Sequence, residues 1–142
     1  MSSFEDYTVS IHYDRRLFRH DIAGSIAHAR MLAKTEIISD DDCRQITQGL
    51  EKILVEIEGG SFPWDPSLED LHMNIESRLH HHIGAAAGRL HTGRSRNDQI
   101  ALDMRLYVKD AGRQTIEGLR GVQRALAGLS EKYPDILMPG YT

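Results

Sequence analysis

The stretch GRLHTGRSRNDQIALD, Gly88 to Asp103, sets two arginines, a serine and an asparagine almost side by side. A guanidinium group is a planar fork of donors that matches a carboxylate through two parallel hydrogen bonds. Ser95 and Asn97 can cap a helix or bond a ligand, and Asn97 offers both a donor and an acceptor. Gly93 lets the chain turn tightly before them. A helix beginning here would add unpaired backbone N–H groups and a partial positive charge, which attract anions. The chemistry that suits Arg94, Ser95, Arg96 and Asn97 is the reception of carboxylates. The same residues also suit an ordinary helix cap flanked by two solvated arginines.

A second polar constellation lies upstream, in EDLHMNIESRL. Asp70, His72 and Glu76 are candidates for a shared polar surface, because positions four apart lie on one helix face. A histidine beside carboxylates can relay protons or orient another group. A surface helix with local ion pairs fits the pattern as well. The run His80-His81-His82 has ligand-type residues, but neighbours on a helix diverge by about 100° and cannot converge on one ion, so no metal site is expected. Met31 and Met104 read as core filler, Cys43 as a buried thiol on an apolar stripe, and Trp64 as a packing plug in its loop.

The elements that must hold these residues are helices. Apolar positions at Leu17, Ile22, Ile26, Ala29 and Ala33 predict one from about Arg15 to Ala33. Ser39 followed by Asp42 predicts a capped start to a second, with Cys43, Ile46, Leu50, Ile53, Leu54 and Ile57 inward and Gly59-Gly60 as its stop. SFPWDPS is a loop, since Pro63 and Pro66 bar a helix. Ser67 with Asp70 repeats the cap signal before a helix that turns Leu71, Ile75, Leu79 and Ile83 inward and stops at Gly84. From about Asn97 to Lys132 a long helix carries Met104, Val108, Ala111, Thr115, Leu119, Val122, Leu126 and Leu129 at steps of three and four, the seam of a packed bundle. No strand pattern competes, so the expected fold class is all-α. The expected organisation is a helical domain over 1–96, followed by the start of a central helical bundle over 97–142.

Composition narrows the function further. A chain of 142 residues is the size of one domain, and its formal charge of -4 argues against a general nucleic-acid binder. The ten acidic residues between Glu36 and Asp70 face only two basic ones, whereas Gly88 to Arg124 holds eight basic and four acidic residues. Positive charge therefore gathers around the arginine corner. A single cysteine, Cys43, excludes an internal disulfide and suits a reducing cytosol. MSSFEDYTVS lacks the basic and apolar regions of a signal peptide, and no apolar run approaches the ~20 residues of a membrane span, so no membrane partner is expected.

At TGRSRNDQ the sequence resembles the argininosuccinate lyase family of the fumarase/aspartase superfamily. SIHYDRRL resembles that family's first serine-containing motif, SLEDLHMNIESRL its second, and GRLHTGRSRNDQIALDMRLYVKD its most distinctive block. MPGYT resembles the opening of a later segment that continues into a histidine. The resemblance implies an all-α fold and a carbon–nitrogen lyase of arginine biosynthesis. It would be cytoplasmic and without metal or organic cofactor, and would split argininosuccinate into arginine and fumarate by β-elimination. It implies that Ser10, Asn97 and Thr142 bind substrate, that Arg96 holds a carboxylate beside Asn97, and that Asp70 and His72 line the site. Arg94 and Ser95 would shape the loop, and Asp14 accompanies Ser10. The family's catalytic histidine would follow Thr142 and its catalytic serine would lie further downstream, so none of the catalytic pair is expected within these residues. The site would be completed only in a full-length homotetramer, and this chain by itself would release no fumarate. Two relatives of the same fold remain as alternatives: a lyase acting on another fumarate-yielding substrate such as adenylosuccinate, and a non-catalytic crystallin-like structural protein. A small helical interaction module without enzyme activity is the third.

Overall fold

The structure is a computed structural model that describes residues 9–137 and 139–140. Among the described residues every regular element is helical, as the apolar spacing predicts, and no helix is long and apolar enough to cross a membrane. The chain divides into two compact units, Met1–Tyr107 and Val108–Thr142.

Among its described residues the first unit begins with a one-turn helix α1 (Ile11–Asp14), a 3-10 turn (Arg15–Leu17) and helix α2 (Phe18–Lys34). Leu17, Ile22, Ala29 and Leu32 enter the core from this segment. Asp21 and Ser25 are buried alongside them, on the same face at the helical period, although both are polar. Helix α3 (Asp40–Glu58) starts at Ser39 with the expected capping box: Ser39 Oγ accepts from the Asp42 N–H at 3.1 Å, and the Asp42 carboxylate accepts from the Ser39 N–H at 3.3 Å. Ile46, Leu50 and Ile53 form its fully buried face, and burial of each such side chain contributes roughly 1.5–3 kcal/mol. Gly60, at φ +70°, supplies the left-handed residue that ends the helix.

Phe62 is buried in the loop that follows, and Trp64 packs on it with ring centroids 4.4 Å apart, so the tryptophan is the plug its loop position predicts. The cap signal resolves differently from its prediction. Ser67 lies within a 3-10 turn (Pro66–Leu68), and Asp70 is the residue that caps helix α4 (Leu71–Ile83), accepting from the Met73 N–H at 2.7 Å. Between them Glu69 adopts φ +50°, ψ −59°, a positive-φ γ-turn closed by a hydrogen bond from the Asp70 N–H to the Leu68 carbonyl. The Glu69 carbonyl accepts the N–H groups of both Ser10 and Ile11, at 2.9 and 3.1 Å. The chain's opening segment is thereby fastened to the entry of α4.

Helices α3 and α4 close on one another at Gly49. A Cβ there would lie 2.5 Å from Leu79 Cδ1 and 3.1 Å from Ile83 Cγ2. Leu79 is fully buried and has no room to retreat. Gly49→Val is accordingly expected to destabilise the first unit by about 1–3 kcal/mol, read as a lowered urea midpoint at unchanged slope.

Gly84, at φ +63°, ends α4. Gly84–Arg89 then forms a 3-10 helix that buries Ala86 and Ala87. Helix α5 (Arg96–Lys132) then runs for 37 residues, roughly 55 Å at 1.5 Å per residue. Its first turns belong to the first unit. In the second unit the predicted seam is present but uncovered: Val108, Leu119, Val122, Leu126 and Leu129 are each more than half exposed. The helix stops before Tyr133-Pro134, as expected. Met31 and Met104 are not core filler, since both are substantially exposed.

Candidate functional site

A cleft of about 530 Å³ opens in the first unit. One wall is polar and carries Ser10, Asp14, Asp70 and His72; the other carries Ile100, Met104 and Tyr107 from α5. Ser10 and Asp70 meet although sixty residues separate them. The Glu69 carbonyl holds the Ser10 backbone, while Asp14 Oδ2 accepts from Ser10 Oγ at 2.6 Å and from the Leu71 N–H at 3.2 Å. Asp14 is thus set at the positive end of the α4 dipole, where a carboxylate is stabilised.

His72 is 2% exposed and does not pair with Glu76, although the two lie four residues apart. Its Nδ1 lies 3.0 Å from Asp21 Oδ1 and 3.8 Å from Asp103 Oδ2. Gln99 Nε2 donates to the same Asp21 oxygen at 2.5 Å. Asp21, Asp103 and Gln99 are as buried as His72. Burial raises the Asp21 carboxyl, but the hydrogen bond and charge of His72, with help from Gln99 and Arg94, outweigh it and hold it below the usual range. Burial lowers His72, yet Asp21 and then Asp70 outweigh it, so the imidazole holds its proton more tightly than usual. Asp103 goes the other way: burial first, and the Asp21 charge second, push it up to about 7. By spacing, Asp21, His72 and Asp103 are also the group among the described residues that could hold a metal ion, with one ligand atom from each lying within 4.8 Å of the others.

Glu76 is instead gripped by the arginine corner. Arg96 Nη1 and Nη2 bond its two oxygens at 3.0 and 2.9 Å, and His91 Nδ1 lies 3.0 Å from Oε1. Burial pushes Glu76 up, but Arg96 and His91 prevail and keep it below the ordinary carboxylate range. The two-bond fork expected of Arg96 is present, and the carboxylate on it here is the protein's own. Arg96 Nε also lies 4.0 Å from Asp70 Oδ2 on the cleft wall. Arg94 is largely enclosed, with Nη1 bonding Ser25 Oγ at 3.1 Å. Ser95 caps α5, accepting from the Asn97 N–H at 3.2 Å and donating its own N–H to Asp98 at 3.0 Å. The Asn97 side chain is exposed in the first turn. Thr142 lies outside the described residues.

The structure therefore brings Ser10, Asp14, Asp70 and His72 to one wall and sets Arg96 beside it. The histidine run does not converge, and His82 Nε2 joins Arg78 on Glu56 instead. Sequence reasoning missed Asp21, Ser25, Gln99 and Asp103. The available signal was their spacing: Asp21 and Ser25 recur at the helical period among inward residues, as do Gln99 and Asp103 after Arg96.

Known proteins resemble the chain over almost its whole length. The chain is 55% identical to the argininosuccinate lyase of Oleidesulfovibrio alaskensis over 138 residues, 97% of this chain and 30% of that protein. It is 54% identical to the argininosuccinate lyase of Geotalea daltonii over 138 residues, and 51% identical to that of Pseudomonas aeruginosa over 136, again 97% and 96% of this chain but 30% and 29% of those proteins. The chain spans about 30% of the length of the curated relatives it matches. The family model described as lyase matches residues 2–142, and the chain belongs to that family.

Proposed function

We infer that the chain is a substrate-binding portion of an argininosuccinate lyase. The observation that carries this reading is the polar wall on which Ser10 from one segment and Asp70 and His72 from another line one cleft. Argininosuccinate joins a guanidinium group to a dicarboxylate, and the cleft offers groups for both ends. Asp14 and Asp70 suit the cationic part, His72, which favours its charged form, suits a carboxylate, and Ser10 Oγ, which donates to Asp14, keeps lone pairs to accept from a substrate N–H.

In the elimination a base removes the proton next to a carboxylate, and the resulting negative charge spreads into that carboxylate. The C–N bond then breaks, leaving fumarate, and the departing guanidine is protonated to give arginine. Charge develops on a carboxylate, so preorganised cationic donors lower the barrier. Ser10, Asp70, His72, Arg96, Asn97 and Thr142 are assigned to binding and orientation. The groups that take and return the proton are contributed from outside residues 1–142. On this reading the working enzyme is a cytoplasmic homotetramer of arginine biosynthesis without a metal or organic cofactor. The uncovered apolar face of α5 supports burial against other long helices.

A chimera tests this. Residues 1–142 would replace the matching segment of the Oleidesulfovibrio alaskensis enzyme, 55% identical over this span. The chimera is expected to release fumarate and arginine from argininosuccinate and to leave adenylosuccinate untouched. Asn97→Ala in the chimera is expected to lower kcat/KM by about 10²-fold or more. A folded chimera that leaves argininosuccinate intact, while its parent cleaves it, would overturn the assignment.

A further inference from the structure

The buried group behind His72 carries more polar atoms than a packing role requires. Both oxygens of Asp103 are buried without a hydrogen-bond partner, an arrangement that is costly for a full carboxylate. Asp103 and Asp21 lie close enough that their like charges oppose simultaneous ionisation. One proton shared by the two acids relieves both problems, because a protonated Asp103 can donate toward Asp21. The pair then carries a single negative charge, which matches one imidazolium.

We propose that Asp21 and Asp103 act together as the positioning pair for His72, fixing Nδ1–H toward Asp21 so that Nε2 is the nitrogen presented to the cleft, and balancing the ring's charge with one shared negative charge. Asp21 Oδ1 is the anchor, since it takes both the imidazole and the Gln99 amide. Gln99 in turn accepts from Arg96 Nη1, which ties the pair to the arginine corner. The other charges that face this group are Asp70 from the cap of α4, Arg94 from the turn before α5, Arg96 from the start of α5, and Glu76 held on Arg96. Neither aspartate lines the cleft, so each acts through His72.

The test is proton–nitrogen NMR of the full chain labelled with 15N-histidine, with His72 assigned by its absence from His72→Gln. In the unaltered chain Nδ1 is expected to keep its proton when the ring becomes neutral, and the His72 shift should show an inflection near pH 7 transmitted from Asp103. Asp21→Asn should lower the His72 midpoint by about one pH unit or more. Asp103→Asn should keep Nδ1–H and remove this transmitted step, leaving only the titration of the ring itself. A neutral ring protonated at Nε2, identical His72 titrations in both variants, or loss of Nδ1–H on adding zinc would each overturn the proposal. Should Asp21→Asn not fold, the unaltered chain and Asp103→Asn decide the matter alone. No substrate is needed, so this result stands apart from the lyase assignment.

Discussion

Asp21→Ala is expected to cost the first unit about 3–5 kcal/mol, more than deletion of most single hydrogen bonds. The substitution removes the partner of a buried imidazole and leaves the Gln99 amide without its acceptor in the same step. The loss depends on pH, and its sign follows from His72. Asp21 raises the imidazole above its ordinary value of 6.5, so the stabilisation it supplies is complete below that value and fades as pH rises through the folded midpoint. Urea unfolding at about pH 6 and about pH 9 should therefore show a wider gap between the unaltered chain and Asp21→Ala at the lower pH. A gap that is constant or widens toward alkaline pH would show that the charge of His72 plays no part.

Asp103→Asn is expected to do the opposite and stabilise the chain around neutral pH. The folded chain holds the Asp103 proton up to about 7, whereas the unfolded chain releases it near 3.8. Between these values folding must retain a proton that the unfolded chain gives up, so the unaltered chain loses stability as pH rises through that window and levels off above it. Asparagine has no proton to lose, keeps the shape, and can donate to Asp21. The melting temperatures of the two proteins should converge at about pH 4 and separate by roughly 10 °C or more at about pH 7.5, with the variant higher. Parallel curves across the range would contradict a buried acid at this position.

These two effects arise where the sequence was hardest to read. The helices were legible because their apolar residues recur at three and four, and because Ser39, Gly60 and Gly84 are residue types that start or end helices for simple physical reasons. The exposed seam of α5 was legible too, since no other helix among the described residues has its length. The pairings of the site were not. Arg96 meets Glu76 across 20 residues, and Gln99 meets Asp21 across 78. An aspartate on an inward position looks from the sequence like a solvated one until its partners are known. Asp70 was recognised as part of a cap, but the choice between Ser67 and Asp70 depended on the backbone of Glu69, where a glutamate takes a conformation that its side chain disfavours.

That glutamate has a consequence for how sharply the cleft is tuned. A γ-turn with positive φ is a strained conformation for a residue with a Cβ, costing about 1–3 kcal/mol. Here the strain points one carbonyl oxygen at two amides, those of Ser10 and Ile11. A relaxed peptide at this point would make a sturdier loop with a less sharply directed serine. The first unit keeps a small amount of stored tension where the backbone of Ser10 is tied down.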